Sequence, residues 1–336
     1  MKIIPKNKKN ISSDKVTQVA DATSRGVGPT KMIGETAPYE HPSFVGDISQ
    51  LFKFRITVLL VLCASIGTML AERKSGLPYF TSTLAFVLFG IFLTASGAAA
   101  INELMEIEAD GRMSRTRWRP LPAGRMSIPF AAAAASLTTL AGTAILMSLT
   151  NVLTGMLTLS TVLFYGFCYT PLKKITPWCT FIGAIPGAMP PLLGWTAIRG
   201  RLEPEAFALF AIQFCWQFPH FHAISWLYRE DYERAHIKML PVVDLTGKRT
   251  LFQILSYGVL LIPVSIMPYL LRMGGVIYVT GAVILGLLYL TFGIRLAMLK
   301  LPPMAAHSKR QARQLLQASV IYLPLLFGLL AANGAH

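Results

Sequence analysis

YFTSTLAFVLFGIFLTASGAAAINELMEIEADGRMSRTRWRPL, residues 79–121, joins an apolar tract to a run of patterned charge. The tract 79–101 carries no charged side chain, and at about 1.5 Å per residue it is long enough for a helix to cross a hydrocarbon core roughly 30 Å thick. In the charged run, Asn102, Glu106 and Asp110 recur every four residues. On a helix, steps of four advance about 40° around the axis, so three oxygen-bearing side chains would line one face. Hard oxygen ligands in that arrangement suit Mg²⁺, which binds through a few carboxylates and substrate phosphates. Arg115, Arg117 and Arg119 follow, with forked donors matched to phosphate or carboxylate. Two readings fit these residues: a magnesium–diphosphate site at a membrane surface, or a solvated charged loop between two spans.

The rest of the chain fits that membrane setting. Its 336 residues are 53% hydrophobic and only 14% charged, with a mean hydropathy of +0.52. Apolar tracts of spanning length recur near 54–71, 79–101, 127–148, 150–169, 178–197, 205–228, 250–271, 275–298 and 314–332. The expected fold class is an all-α polytopic membrane protein with nine transmembrane helices. A β-barrel would show alternating segments of about ten residues, and none is evident. The net charge of +15 does not call for nucleic acid. With the N-terminus inside, only Arg73, Lys74, Arg199, Arg201 and Arg272 of the 31 Lys and Arg fall on the outer side, the positive-inside distribution. Residues 1–50 are polar and lack an apolar signal region, so they are expected to be a flexible cytoplasmic tail ahead of a membrane domain at 51–336. Cys63, Cys168, Cys179 and Cys215 stand singly, with no spacing for a disulfide framework or zinc.

A second inside loop follows the sixth span as SWLYREDYERAHIKMLPVVD. Asp231 is its candidate ligand. If the helix continues out of the membrane, Tyr228, Asp231 and Ala235 share a face, while Glu230 and Glu233 point elsewhere. Lys238 could reach a phosphate, or simply obey the topology rule. The sixth span also holds His220 and His222, and ionisable groups inside a membrane are often functional. Two residues apart on a helix, they face away from each other. The two patterned loops are separated by four spans, which hints at two similar halves, and active sites form where such halves meet.

At these residues the chain resembles the UbiA superfamily of intramembrane prenyltransferases, whose first motif is N-x₃-D/E-x₃-D. The continuation M-x-R-T-x-x-R-P-L is matched by Met113, Arg115, Thr116, Arg119, Pro120 and Leu121. It is similar to the branch that farnesylates protohaem, as are YREDYERA with MLPV, YTPLKK at 169–174, GAIPGAMPPLLGW at 183–195 and WQFPHFHAISW at 216–226. The resemblance covers roughly residues 50–330. It implies a UbiA-type bundle around a central, lipid-accessible cavity capped by the two loops. The implied substrates are farnesyl diphosphate and haem b (protohaem IX), and the implied cofactor is Mg²⁺. Asn102, Glu106, Asp110 and Asp231 would hold metal, and Arg115, Arg119 and Lys173 or Lys174 would contact phosphate. Glu106 stands where many members have Asp, and the second loop offers one clear carboxylate, which leaves one or two ions possible. Tyr228, Lys238 and His220 complete the expected substrate contacts, His220 as a haem-iron ligand or orienting group. The setting implied is the inner membrane of a bacterium, with a haem A synthase or an oxidase assembly factor as partner.

Three rivals remain: a UbiA-type enzyme acting on a quinone precursor or a chlorin, an ion-coupled transporter using the same carboxylates, and a haem-binding scaffold without turnover. Transporter charges are expected near the membrane midplane, whereas these sit at span ends beside arginines.

Overall fold

The structure, a computed structural model, describes residues 43–78 and 81–333. Most of the expected tail 1–50 lies outside the described residues. Its last part, from Phe44, is helical. Helix α1 (Phe44–Leu51) is capped by the Ser43 hydroxyl, which accepts from the Gly46 N–H at 3.2 Å. It is fastened by the fully buried Leu51 and by Asp47, whose carboxylate takes Arg125 at 2.7–3.1 Å.

The long helices that follow are α2 (Phe54–Lys74), α3 (Ser82–Met105), α5 (Ile128–Leu149), α6 (Val152–Leu163), α8 (Cys179–Arg199), α9 (Pro204–Leu227), α12 (Lys248–Leu270), α13 (Val276–Met298) and α14 (Ala306–Ala332). A π-turn, Phe164–Tyr169, carries α6 into α7 (Thr170–Ile175). Short helices α4 (Ile107–Arg112), α10 (Arg229–Arg234) and α11 (Leu240–Val243) lie at one end, which we call the site end. Helix α2 packs on α8, α3 on α5, and α9 on α8, α12 and α14.

Among the described residues, eight helical stretches are both long enough and apolar enough to cross a membrane; α9, at 24 residues, has the length without the apolarity. The reason lies in α8, which contains Pro186, Pro190 and Pro191. A proline removes the hydrogen bond to the carbonyl four residues earlier, and in a water-poor interior that carbonyl needs another donor. Gln213 of α9 gives its amide N–H to the Gly187 carbonyl at 2.9 Å, the one Pro191 leaves open, and Gln217 donates to Ala184 at 3.1 Å. Of the polar residues that dilute the hydropathy of α9, Gln213 thus completes its neighbour's backbone, and Gln217 adds a second bond to it.

The α2–α8 contact is nearly backbone on backbone. A Cβ on Gly194 would stand 2.0 Å from the Ala64 carbonyl oxygen, and one on Gly67 would stand 1.9 Å from that of Pro191. Small residues permit such close crossings, and overpacking them costs about 1–3 kcal/mol. Gly194→Ala is therefore expected to lower the melting midpoint in detergent, while Gly328→Ala, with nothing within 4 Å of its Cβ, leaves it unchanged. Equal midpoints for the two variants would contradict the close crossing.

At the opposite end Glu203 accepts from Trp195 Nε1 at 2.9 Å, Arg199 Nε at 2.9 Å and Arg201 Nε at 2.8 Å. The hydrogen bond from Arg199 outweighs burial and holds this carboxyl down at about 2. A folded value below the ordinary carboxylate value of about 4.3 gives stability that is complete above that value and is lost as pH falls towards 2. Melting midpoints measured from pH 5 to pH 2 should fall more steeply for the parent than for Glu203→Gln; parallel curves would contradict this.

The two patterned loops repeat one local design. Helix α3 is 24 residues long and ends at Glu106 (φ −109°, ψ 12°), after which the six-residue α4 starts. Helix α9 is likewise 24 residues long and ends at Tyr228 (φ −107°, ψ 28°), after which the six-residue α10 starts. In both halves a membrane-length helix breaks at one residue and turns a short acidic helix across the site end. The single continuous helices expected through Asp110 and through Ala235 are each two.

Candidate functional site

The break at Glu106 preserves the four-residue ladder, because Glu106 N–H donates to the Asn102 carbonyl at 3.1 Å and Asp110 N–H to the Glu106 carbonyl at 2.7 Å. Asn102, Glu106 and Asp110 are all buried. The Asn102 amide donates to Glu106 Oε2 at 3.0 Å and to Thr170 Oγ1 at 3.1 Å. Its own oxygen accepts from Lys53 Nζ. Lys173 Nζ bonds Glu106 Oε1 at 2.8 Å and lies over the Tyr169 ring at 4.5 Å from the centroid. Arg119 NH1 bonds Asp110 Oδ2 at 2.6 Å, whereas Asp110 Oδ1 is buried without a hydrogen-bond partner among the described residues. A row of oxygen ligands is thus matched by a row of three cations drawn from three parts of the chain.

The charges are mutually dependent. Burial disfavours the Lys53 ammonium and nearby Arg119 repels it, which together push its pKa down to about 8 against the pull of Glu106. Burial would raise the Glu106 carboxyl, but Lys173 and Lys53 outweigh it and hold the group below its usual range. Burial opposes charge on Lys173 as well, yet Glu106 raises it well above the ordinary lysine value.

Asp231 joins from the second loop. Its Oδ1 accepts from the Ser114 backbone N–H at 3.3 Å, which ties α10 directly to the loop after α4, and from Arg234. Arg234 also bonds Ser114 Oγ at 2.7 Å. Burial would raise the Asp231 carboxyl, but the hydrogen bond from Arg234 wins and lowers it. Arg115 bridges the same gap, its guanidinium 5.1 Å from the centre of the Tyr228 ring. Glu230 pairs with Lys309 at 2.7 Å and Glu233 with Arg229 at 3.2 Å, both away from Asp231.

The structure separates the remaining candidates. Lys174 turns to Glu108 at 3.8 Å, so Lys173 alone of the pair stands beside the buried carboxylates. The exposed Lys238 reaches this end through its backbone, its N–H donating to the Lys173 carbonyl at 2.7 Å. His220 is not at the cap. It lies eight residues before Tyr228, about 12 Å along a helix axis, with Nδ1 2.7 Å from Ser319 Oγ and its ring stacked on Trp216. His222 bonds Gln253 at 2.7 Å.

Sequence reasoning missed Lys53, Thr170, Ser114, Arg234 and Glu103. Lys53 stands 49 residues before its partner and reads as an ordinary positive-inside lysine. Glu103, next to Asn102, is fully buried; its only signal was acidity inside a motif.

The donor set fits a hard cation such as Mg²⁺, since it consists of amide and carboxylate oxygens with one buried carboxylate oxygen left over. Among the described residues no three His, Cys, Asp or Glu side chains converge to hold an ion by themselves. Such an ion would need oxygens from a substrate to complete its shell, the usual situation for Mg²⁺ on phosphates.

Comparison with known proteins agrees in fold and sequence. A protein of Koribacter versatilis (strain Ellin345) named protoheme IX farnesyltransferase is 50% identical over 288 residues, covering 86% of this chain and 93% of the relative. A solved structure of digeranylgeranylglyceryl phosphate synthase superposes with a TM-score of 0.70 at 18% identity, covering 86% of this chain and 98% of the other. A UbiA homologue from Archaeoglobus fulgidus, solved with GPP and Mg²⁺, gives 0.58 at 14% identity over 85% of this chain and 99% of its own. The model of the UbiA prenyltransferase family matches residues 60–312. With that match and a relative at half identity along most of its length, the chain belongs to the UbiA prenyltransferase family.

Proposed function

We propose that the protein transfers a farnesyl group from farnesyl diphosphate to a vinyl group of haem b, with addition of water, to give haem O. The observation that carries this reading is the interleaved row of Asn102, Glu106 and Asp110 with Lys53, Lys173 and Arg119 at the end of a membrane helix pair. The haem acceptor is supported by the name of the half-identical relative.

Mg²⁺ held by Asn102, Glu106, Asp110 and Asp231 would supply Lewis-acid charge for the diphosphate, as in the fold relative solved with GPP and Mg²⁺. The chain's own cations do the remaining work. Lys173 and Arg119 pair with carboxylates and Lys53 with the Asn102 amide oxygen, and all three would turn to phosphate oxygens once substrate arrives, with Arg115 closing from the loop side. Charge that develops on departing pyrophosphate then meets donors already in position, and fixed donors stabilise such charge without reorganising. The Tyr165 and Tyr169 rings, with centroids 5.2 Å apart, offer aromatic faces to the allylic cation. The farnesyl C1 bonds to the terminal vinyl carbon, and the resulting cation beside the macrocycle takes hydroxide from water and releases a proton. No enzyme nucleophile is required. Tyr228 would line the acceptor side, and Lys238 the rim.

The protein is a multi-pass membrane protein, and we place the site end and the N-terminus in the cytoplasm of a bacterial cell, at the inner membrane. A haem A synthase or an oxidase assembly factor would be the recipient of its product. A competition experiment tests the acceptor. Offered haem b and an aromatic quinone precursor together with farnesyl diphosphate and Mg²⁺, the purified protein should put farnesyl mass on haem. Label found only on the aromatic acceptor would overturn the haem assignment.

A further inference from the structure

On the far side of the short cap helices, Glu108, Ala109, Arg112, Lys174, Ala235 and His236 line a cleft of about 210 Å³. Three elements of the diphosphate face, α4, α7 and the segment at the end of α10, also contribute residues here. Ala109 adjoins Asp110, Lys174 adjoins Lys173, and Ala235 follows α10, which carries Asp231. We propose that this cleft binds a carboxylate arm of the acceptor, which under the function proposed above is a propionate of haem b.

Three observations carry the assignment. The cleft already displays carboxylate geometry: Arg112 NH2 stands 2.5 Å from one Glu108 oxygen and Lys174 Nζ stands 3.8 Å from the other. Glu108 is 68% exposed and its two partners are nearly half exposed, so nothing locks the glutamate in place and another carboxylate can replace it. The charge balance is right for a carboxylate. Two fixed cations face one acid, leaving a surplus of one positive charge, which suits a monoanion and falls short of a diphosphate. The separate triad of Lys53, Lys173 and Arg119 is the richer cation set. The volume also fits. An open cleft of this size has room for a short acid arm. A porphyrin whose ring lies among apolar helices must bring its acid edge to a polar surface, because an unpaired buried carboxylate is costly.

Binding tests the proposal without relying on turnover. The full-length protein in detergent is titrated, by Soret absorbance, with haem b and with haem b dimethyl ester, whose propionates carry no charge. The parent is expected to prefer haem b by roughly tenfold or more, the scale of one charge-assisted hydrogen bond. Arg112→Gln/Lys174→Gln should bind both pigments alike while its KM for farnesyl diphosphate stays at the parent value. Glu108→Gln, which removes the competing acid, should tighten haem b several-fold and leave the ester unchanged. Equal binding of the two pigments by the parent, or a parent-like preference in the double variant, would overturn the proposal. So would a raised KM for farnesyl diphosphate with the pigment preference intact, which would assign the cleft to phosphate. A parent that shows the preference but never farnesylates haem sinks the function proposed above and leaves the cleft assignment standing.

Discussion

Asp110→Asn should lower farnesyl transfer by about 10³-fold, the size expected when several kcal/mol of transition-state charge stabilisation is lost. The substitution keeps the shape of the side chain and removes its charge. In the structure Asp110 Oδ2 is held by Arg119 at 2.6 Å and Oδ1 is buried with no partner. A buried carboxylate oxygen that meets no donor among the described residues is poised for a cation, and an amide offers it no anionic ligand. Arg119 loses its carboxylate as well, and at 22% exposure it can recover some solvation, so the folded protein should persist in the membrane. Rates from single turnovers, with membrane extraction and melting as controls, measure the effect. Activity within tenfold of the parent would remove Asp110 from the metal set.

Lys173→Met should lower turnover by roughly 10²–10³-fold, the loss typical for one preorganised electrostatic donor. This variant also strands Glu106, which is 9% exposed at its side chain and pairs with Lys173 at 2.8 Å. Breaking a buried pair by removing one partner costs about 3–5 kcal/mol, whereas replacing both partners by neutral groups is close to neutral. The pair of variants therefore separates structure from chemistry. Lys173→Met alone should melt lower, Lys173→Met/Glu106→Gln should regain most of that stability, and neither should recover turnover. Parent-like turnover by Lys173→Met, per folded protein, would make Lys173 a structural lysine; the double variant reports on stability alone, because Glu106 is itself in the proposed metal set.

Much of this could be read before any coordinates. The apolar tracts anticipated α5, α8, α12 and α13 to within two residues, because helices set among lipid or among other apolar helices are apolar on most sides. The start of α14 was missed by eight residues, since AHSKRQAR at 306–313 continues the helix with polar side chains beyond the hydrocarbon. The tract at α9 is less apolar than the other spans in part because Gln213 serves the Gly187 carbonyl that Pro191 leaves open in α8, a need visible only when the two helices lie together. At the site, i+4 spacing exposed the Asn102–Glu106–Asp110 row even though the helix breaks at Glu106, since the hydrogen-bond ladder survives the break. Lys53 and Thr170 were illegible for a different reason: each meets Asn102 from a separate helix, and nothing in the local sequence encodes that meeting. Lys173 and Lys174 were indistinguishable as neighbours, until the turn of α7 sent one to Glu106 and the other to Glu108.

The central claim is that the loops after α3 and after α9 form one cradle for a metal-bound diphosphate. An experimental structure with Mn²⁺ in place of Mg²⁺ and the slowly reacting farnesyl thiodiphosphate, read by anomalous scattering, tests it most directly. The account predicts a manganese peak against Asp110 and Asp231, with Lys173 and Arg119 turned from their carboxylates onto phosphate oxygens. Diphosphate bound away from these residues, or manganese held by neither aspartate, would contradict it.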